Sequence, residues 1–543
     1  MKQKQSGVLN VKKLTFFGFF AMTASMVMTI DDYPSVATAK FACVFFSLLA
    51  GLCWFLPTAL ISAEMASVEG WSEGGVFGWV GNALHSERLG FLAVFFQWFQ
   101  VTVCFVTMCY FIIGVVAAAF NVSIINDDPT VKFILVLLLF AGISFLQLGG
   151  TKRTTLIAKW GFTVGVLGST SILFILAIIY WIQGNPLAIS FSSKTFFPDF
   201  HQSGTLTIFA TFILMYAGIE ASSSHINELE KAEKNYPLTV LSIFALAIIM
   251  DSLGGVSIAS VVPQQKLSMD AGMYQALRML ICHDNPHLGW LATLLSLLLV
   301  LGLISEISSW AVGPAEGLQD TASYGMLPKW ICTKNDNNVP THMLLVQFFV
   351  VALWAGILTF SSGSAGNMAY LITTTLTSLI YLCCYVLMYL SYFRLIFVEK
   401  ELKRTYNVPG GMTGKIIVGV VGFVTSIFAF IVSFIPMASL PPSQGTQFVV
   451  ILTYCFIIAV LLPIFVSSFR RKFLKKMNVE DIRVLHFRLM WNRVPHIMQE
   501  AVLAARQREG IQDINGQLVQ TTTDENGNVI HIERSESFEE SGF

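Results

Sequence analysis

Of the 543 residues, 55% are hydrophobic and 12% are charged, and the mean hydropathy of +0.67 is far above what a soluble globular chain of this length keeps in solution. The 33 basic and 33 acidic residues cancel to a formal net charge of +0, which leaves no basic field for nucleic acid and no acidic one for basic partners. Residues 470–543 hold 22 of those 66 charges, so a membrane body over residues 1–468 is followed by a polar tail over 469–543.

The chain opens with Lys2, Lys4, Lys12 and Lys13 ahead of an apolar stretch that lacks a small-residue cleavage site, so it reads as a first span and not a removable signal. Crossing about 30 Å of hydrocarbon takes roughly 20 apolar residues. Twelve such runs are predicted, near 15–39, 41–67, 89–119, 131–149, 155–182, 204–227, 237–262, 288–317, 341–361, 367–397, 414–437 and 447–468. With the N-terminus inside, 28 Lys and Arg fall on the inner side and 5 on the outer; without the tail the split is still 17 to 5. The positive-inside rule therefore puts both termini in the cytoplasm. In the tail, Ile482, Leu485, Leu489, Val494, Ile497 and Val502 alternate with charges and predict a short amphipathic helix within 478–509. Beyond it, Asp524–Asn526, Gly527, Val529 and Ile532 fit either a small hairpin or disorder.

Signatures of soluble enzymes and of metal or cofactor sites are absent from the sequence, and most of the nine cysteines lie in apolar runs, where no disulfide framework is implied. The informative residues are then ionisable groups inside apolar runs, since each costs several kcal/mol unless it meets water, a partner or a substrate. They are Asp31, Asp32, Glu64, Lys159, Glu220, Asp251, Glu306 and Glu316. Glu220 follows Gly218, which suggests a helix whose backbone opens to a ligand; a carboxyl bonded to a neighbouring span is the other reading. Glu306 sits among Ser305, Ser308, Ser309 and Trp310, a polar cluster that suits either a pathway or a buried hydrogen-bond network. Lys159 either snorkels to the interface or titrates during transport. Tyr381 and Tyr385, four residues apart, share a helical face. By titration range His225, His486 and His496 are the candidate pH sensors.

The runs Thr23-Ala24-Ser25-Met26-Val27-Met28, Tyr33-Pro34, Ala63-Glu64-Met65-Ala66, Gly218-Ile219-Glu220-Ala221-Ser222 and Glu306-Ile307-Ser308-Ser309-Trp310, with Leu402 to Gly411 further on, resemble the amino acid-polyamine-organocation transporters. Within these the chain is most similar to the bacterial glutamate/γ-aminobutyrate antiporters of acid resistance, over about its first 440 residues. The resemblance implies an all-α integral membrane protein with a LeuT-type fold: a 5+5 inverted repeat, spans one to five and six to ten, plus two peripheral helices. It implies first and sixth helices broken around a midplane substrate site, the first at Thr23-Ala24-Ser25. It further implies that Thr23, Ala24, Ser25, Met26, Asp31, Gly218, Glu220, Glu306, Trp310, Tyr381 and Tyr385 line that site, and that Lys159 stands where related carriers hold a sodium ion.

One departure bears on the substrate. Where the glutamate antiporters carry a tyrosine and a glutamate after the first break, this chain has Asp31 and Asp32. An added carboxylate repels anionic glutamate and favours a neutral or cationic amino acid unless it is protonated. The longer, evenly charged tail raises a second expectation, a pH-dependent plug carried by His486, Arg488, Arg493 and His496. The functional expectation is exchange of external glutamate for internal γ-aminobutyrate in the bacterial inner membrane, paired with a cytoplasmic decarboxylase and needing no cofactor. A proton-coupled carrier of other amino acids and a non-transporting nutrient receptor are the alternatives.

Overall fold

The computed structural model describes residues 15–71, 75–149, 160–199, 201, 206–220, 229–337, 339–361, 366–436, 440–490 and 496–509. Among them the chain is helical apart from turns and one isolated bridge, Val68 to Arg404. Ten helices are long and apolar enough to cross a membrane, and each matches a predicted span. The other two predicted spans, the first and the sixth, are short helices that stop inside the bundle. Helix α1 (Phe16–Val27) is followed by non-helical residues 28–32 and then α2 (Tyr33–Ala37). Span two is α3 (Ala42–Ala66).

A short α4 (Gly75–Ala83) precedes the third span, α5 (Glu87–Phe120), which starts where Ser86 caps the Leu89 amide and ends at Asn121 in the left-handed conformation. Helix α6 (Pro129–Gln147) is started by Asp128, whose carboxylate accepts from Thr130 and Val131, with Pro129 in the first turn. Span five is α7 (Thr163–Ile182). The sixth is α8 (Phe209–Met215), which gives way to a turn through Gly218. After it come α9 (Ala232–Val261), an irregularly flanked α10 (Gly272–Cys282), α11 (Gly289–Asp320), α12 (Thr341–Ser361), α13 (Gly366–Phe397), α14 (Gly411–Val432) and α15 (Pro442–Ser468).

Burial ranks the helices. The central window of α13 is 83% buried and that of α5 72%, against 22% for α6 and α15 and 28% for α14. Helices α5 and α13 therefore form the axis, and the last two spans sit at the rim with apolar side chains such as Ile417, Val424, Leu461 and Phe465 turned outward, as lipid requires. Close packing between α7 and α11 depends on Gly165 and Gly302. A methyl group on Gly165 would lie 2.4 Å from the Gly302 nitrogen, so the two backbones touch, as small residues permit in membrane bundles.

At one end of the bundle the tail folds back. It forms α16 (Arg470–Leu474), α17 (His486–Met490) and α18 (Gln499–Glu509). The single amphipathic helix expected within 478–509 is thus replaced by short pieces. Residues 482–485 are not helical, and their side chains serve different surfaces. Leu485 packs on Gly81 of α4, whereas Ile482 joins Leu474, Met498, Ala501 and Val502 in a small core of the tail's own. The hairpin signal at 524–532 lies outside the described residues.

Candidate functional site

The first break is the centre of the site. Helix α1 stays intact through Thr23 and Ala24, where the expected break would fall, and the Thr23 hydroxyl donates 2.8 Å to the Phe19 carbonyl one turn back. The chain leaves the helix at Met28 instead. Thr29, Asp31 and Asp32 have short polar side chains that compete with the helical backbone, and Pro34 fits only the start of a new turn. The second break, at Tyr216 to Gly218, has a comparable cause, since Gly218 has φ +108, a conformation that side chains resist.

Between the two breaks and the axis helices lies a narrow cavity of about 40 Å³ lined by Thr29, Asp31, Asp32, Gln100, Trp310 and Tyr381, among others. It has room for a few waters and not for an amino acid. Asp31 and Asp32 are 3% and 4% exposed, and Oδ1 of each has no hydrogen-bond partner. Thr107, also in the lining, has a buried hydroxyl without a partner. The Tyr370 hydroxyl donates to the backbone carbonyl of Asp31 and fixes the broken segment against α13.

Behind Tyr381 is a saturated carboxylate. Glu220 accepts from Gln97 at 2.9 Å, from Tyr381 and from Tyr385 at 2.7 Å, while the Gly218 amide donates 3.1 Å to the Tyr385 oxygen. Three donors on one carboxylate hold the second break to α5 and α13. Glu306 is the opposite case: it is 6% exposed, and neither of its oxygens has a partner. It faces the charges of Asp31 and Asp32. Asp251 of α9 adds a further buried carboxyl, within electrostatic reach of Tyr216 and Asp32.

Of the residues singled out from sequence, Asp31, Trp310 and Tyr381 line the cavity, and Gly218, Glu220 and Tyr385 form the network beside it. Thr23 and Ala24 are buried in α1 and are not among the lining residues. The side chains of Ser25 and Met26, and the whole of Lys159, His225 and Arg493, lie outside the described residues, as does the His496 side chain. Sequence reasoning missed Gln97, Gln100, Thr107 and Tyr370, because uncharged polar residues in an apolar run give no signal until their neighbours are known.

Two polar assemblies close the ends of the bundle. At the end away from the tail, Lys132 pairs with Asp270 at 3.4 Å and lies 4.5 Å over the Tyr110 ring, with both charges almost fully buried. Asp270 also borders a polar cavity of about 620 Å³ with Asn126, Ser268 and Asn367. At the tail end, Arg488 makes a bidentate pair with Glu87 at 2.6 and 2.8 Å, and Arg470 approaches the same carboxylate at 3.5 Å. The Phe487 amide donates to Asn82 and its ring stacks on His85, 5.3 Å between centroids. The Arg483 amide reaches the Ser323 carbonyl and Lys329 pairs with Asp481, so the tail bridges the loops after α4 and α11. His486 packs on Gly70.

Residues 14–462 match the amino acid permease family. The chain belongs to that family. This permease is 48% identical over 464 residues to the glutamate/gamma-aminobutyrate antiporter of Lactococcus lactis subsp. lactis, covering 86% of this chain and 92% of the relative. It is 29% identical to an uncharacterized transporter of Legionella pneumophila, over 83% of this chain and 94% of that one. In solved structures it is similar to a manganese transporter of Eremococcus coleocola, with a TM-score of 0.51 at 12% identity, over 88% of this chain and 97% of the other, a likeness of fold alone. The permease is thus a multi-pass membrane transporter and not an enzyme.

Proposed function

We propose that this permease is an antiporter that takes up glutamate in exchange for γ-aminobutyrate by alternating access. The observation that carries the reading is the 48% identity to a glutamate/gamma-aminobutyrate antiporter across 92% of that protein. Supporting it is a narrow cavity between two broken helices, where half-helix ends and freed backbone groups can meet a zwitterion. In this reading α1 with α2 and the elements around α8 complete twelve spans in a 5+5 inverted repeat, with α14 and α15 peripheral. Both termini lie in the cytoplasm of a bacterial cell, across its inner membrane, and a cytoplasmic decarboxylase supplies γ-aminobutyrate.

Asp31, Trp310 and Tyr381 would touch the substrate directly. Thr23, Ala24, Ser25 and Met26 would shape the approach from α1, Gly218, Glu220 and Tyr385 would hold the second break, and Glu306 would meet a charge that the substrate or a proton supplies. Lys159 is assigned to coupling, and the tail, through His486, Arg488, Arg493 and His496, to gating.

The test is uptake of radiolabelled glutamate into proteoliposomes loaded with γ-aminobutyrate, with other amino acids or with buffer, at pH 5 and pH 7. Exchange requires uptake that depends on internal γ-aminobutyrate. A second reading, proton-coupled transport, is favoured by the unpartnered carboxyls of Asp31, Asp32 and Glu306; it requires uptake into buffer-loaded vesicles driven by a proton gradient alone. A receptor would give neither.

A further inference from the structure

Outside the transport pathway, a third cavity, of about 340 Å³, opens at the tail end of the bundle between the end of α13, the loop that follows and the start of α14. Its walls are Ile396, Lys400, Leu402, Arg404, Asn407, Met412 and Lys415. Three of the seven are cationic and none is acidic. Behind the wall lies Glu64 of α3, fully buried, which accepts from Arg404 at 2.8 Å, from Lys415, from the Tyr392 hydroxyl at 3.1 Å and from the Val408 amide at 2.9 Å. Counting the lining residues with Glu64 behind them, and leaving out Glu399 and Glu401 that flank Lys400 outside the wall, the formal excess is two positive charges.

The hydrogen-bond inventory points the same way. Arg404 gives Nε to the Leu402 carbonyl, one terminal nitrogen to Glu64 and the other to the Glu399 and Lys400 carbonyls; one of its five N–H groups is spare. Lys415 spends two of three protons on Glu64 and Asn407, and the Asn407 amide nitrogen is free to donate. The Lys400 ammonium makes no hydrogen bond or ion pair among the described residues, so all three of its protons are available. The pocket therefore offers several donors and two surplus charges to an anion of phosphate size, and it shields Arg404 and Lys415, whose side chains are only 8% and 13% exposed.

What surrounds the pocket decides the source of that anion. Phe397 at the end of α13 and Val398 just after it are 48% and 65% exposed; Met412 in the pocket wall is 42% exposed and starts the outward stripe of α14 that continues through Ile417, Val420 and Val424. Bare apolar side chains of this size at a helix end belong in contact with acyl chains. A cationic pocket thus adjoins a lipid-facing surface, at the end that the charge bias assigns to the cytoplasm, where acidic headgroups meet basic pockets between helices. We propose that this pocket binds the phosphodiester of an acidic membrane phospholipid, with Lys400 at its rim, Lys415, Arg404 and Asn407 at its base, and the acyl chains along α13 and α14.

The experiment uses the full chain in detergent, with dioctanoyl phosphatidylglycerol, dioctanoyl phosphatidylcholine or inorganic phosphate titrated in and thermal stability read out, and native mass spectrometry counting retained lipid. Phosphatidylglycerol should raise the unfolding temperature saturably and phosphatidylcholine should not. Lys400→Gln, which breaks no contact in the fold, should weaken the apparent affinity about fivefold. Asn407→Asp, which keeps an acceptor for Lys415 but adds a negative charge, should weaken it further. Lys475→Gln, in the basic tail, should match the wild type. Equal stabilisation by both lipids, or wild-type affinity in both pocket variants, would overturn the proposal. So would equal stabilisation by inorganic phosphate, which would make the pocket a site for a soluble anion.

Discussion

Buried carboxyls decide this protein residue by residue, and they fall into two kinds. Glu220 and Glu64 are surrounded by donors; Asp31, Asp32 and Glu306 have oxygens that nothing satisfies. An unpartnered buried carboxylate is costly. Glu306→Gln keeps the shape and removes the titratable group. It should leave the yield of folded protein unchanged while altering the pH dependence or substrate preference of exchange, read in proteoliposomes across pH 5 to 7; a wild-type profile would make Glu306 a purely structural residue. Asp31→Tyr should raise glutamate uptake at neutral pH several-fold by removing a negative charge from the cavity wall. The acids themselves were legible in the sequence, since charge inside an apolar run is conspicuous. Which of them were satisfied was not, because the partners of Glu220 on α5 and α13 lie 123 to 165 residues away.

Among the elements, ten spans could be read from hydropathy to within a few residues, because each is a continuous apolar helix whose length the bilayer fixes. The breaks could not. A helix that stops at Met28 and one that runs on have the same apolar composition, and the deciding feature, the polar run from Thr29 to Asp32 before Pro34, is local and leaves hydropathy almost unchanged. Nor does hydropathy reveal how helix ends are tied. Glu64 joins the end of α3 to the loop after α13 and to α14, with two cations and two further donors on one carboxylate. Glu64→Ala would leave Arg404 and Lys415 facing each other without a counter-ion. Breaking a buried pair in this way costs about 3–5 kcal/mol, so a clear drop in thermal midpoint in detergent is expected, larger than that of Glu64→Gln, which keeps a hydrogen-bond acceptor.

For the whole molecule, the tail ties the loops after α4 and α11 together. His85 is the titratable part of that contact. Its Nε2 meets Glu399 at 3.0 Å, its Nδ1 accepts from Arg394 at 3.0 Å, and its ring lies on Phe487, with Arg488 on that same ring. Burial first, and then the Arg394 guanidinium, hold its pKa below the ordinary value of 6.5, against the pull of Glu399. A base held low is neutral in the docked state, so its contribution is complete above the ordinary value and is lost as pH falls through the lowered one. A proton on Nδ1 would also displace the Arg394 bond. Hydrogen-exchange protection of residues 483–490, corrected for the intrinsic exchange rate at each pH, should therefore fall as pH drops below the ordinary histidine value, and His85→Gln should flatten that dependence. Truncation after Lys476 should raise exchange at neutral pH; an unchanged pH profile would remove the tail from gating.

The pairing of Glu87 with Arg488 also sets an order in time. The two residues are 401 positions apart, so on a ribosome adding about 5–20 residues per second Glu87 emerges roughly 20–80 s before its partner exists. Throughout that interval the membrane helices can insert and pack, but the loop after α4 has no tail to close it. A chain that stalls before residue 488 would carry a membrane body in which Glu87 still lacks its Arg488 partner, so this contact is among the last in the fold to form.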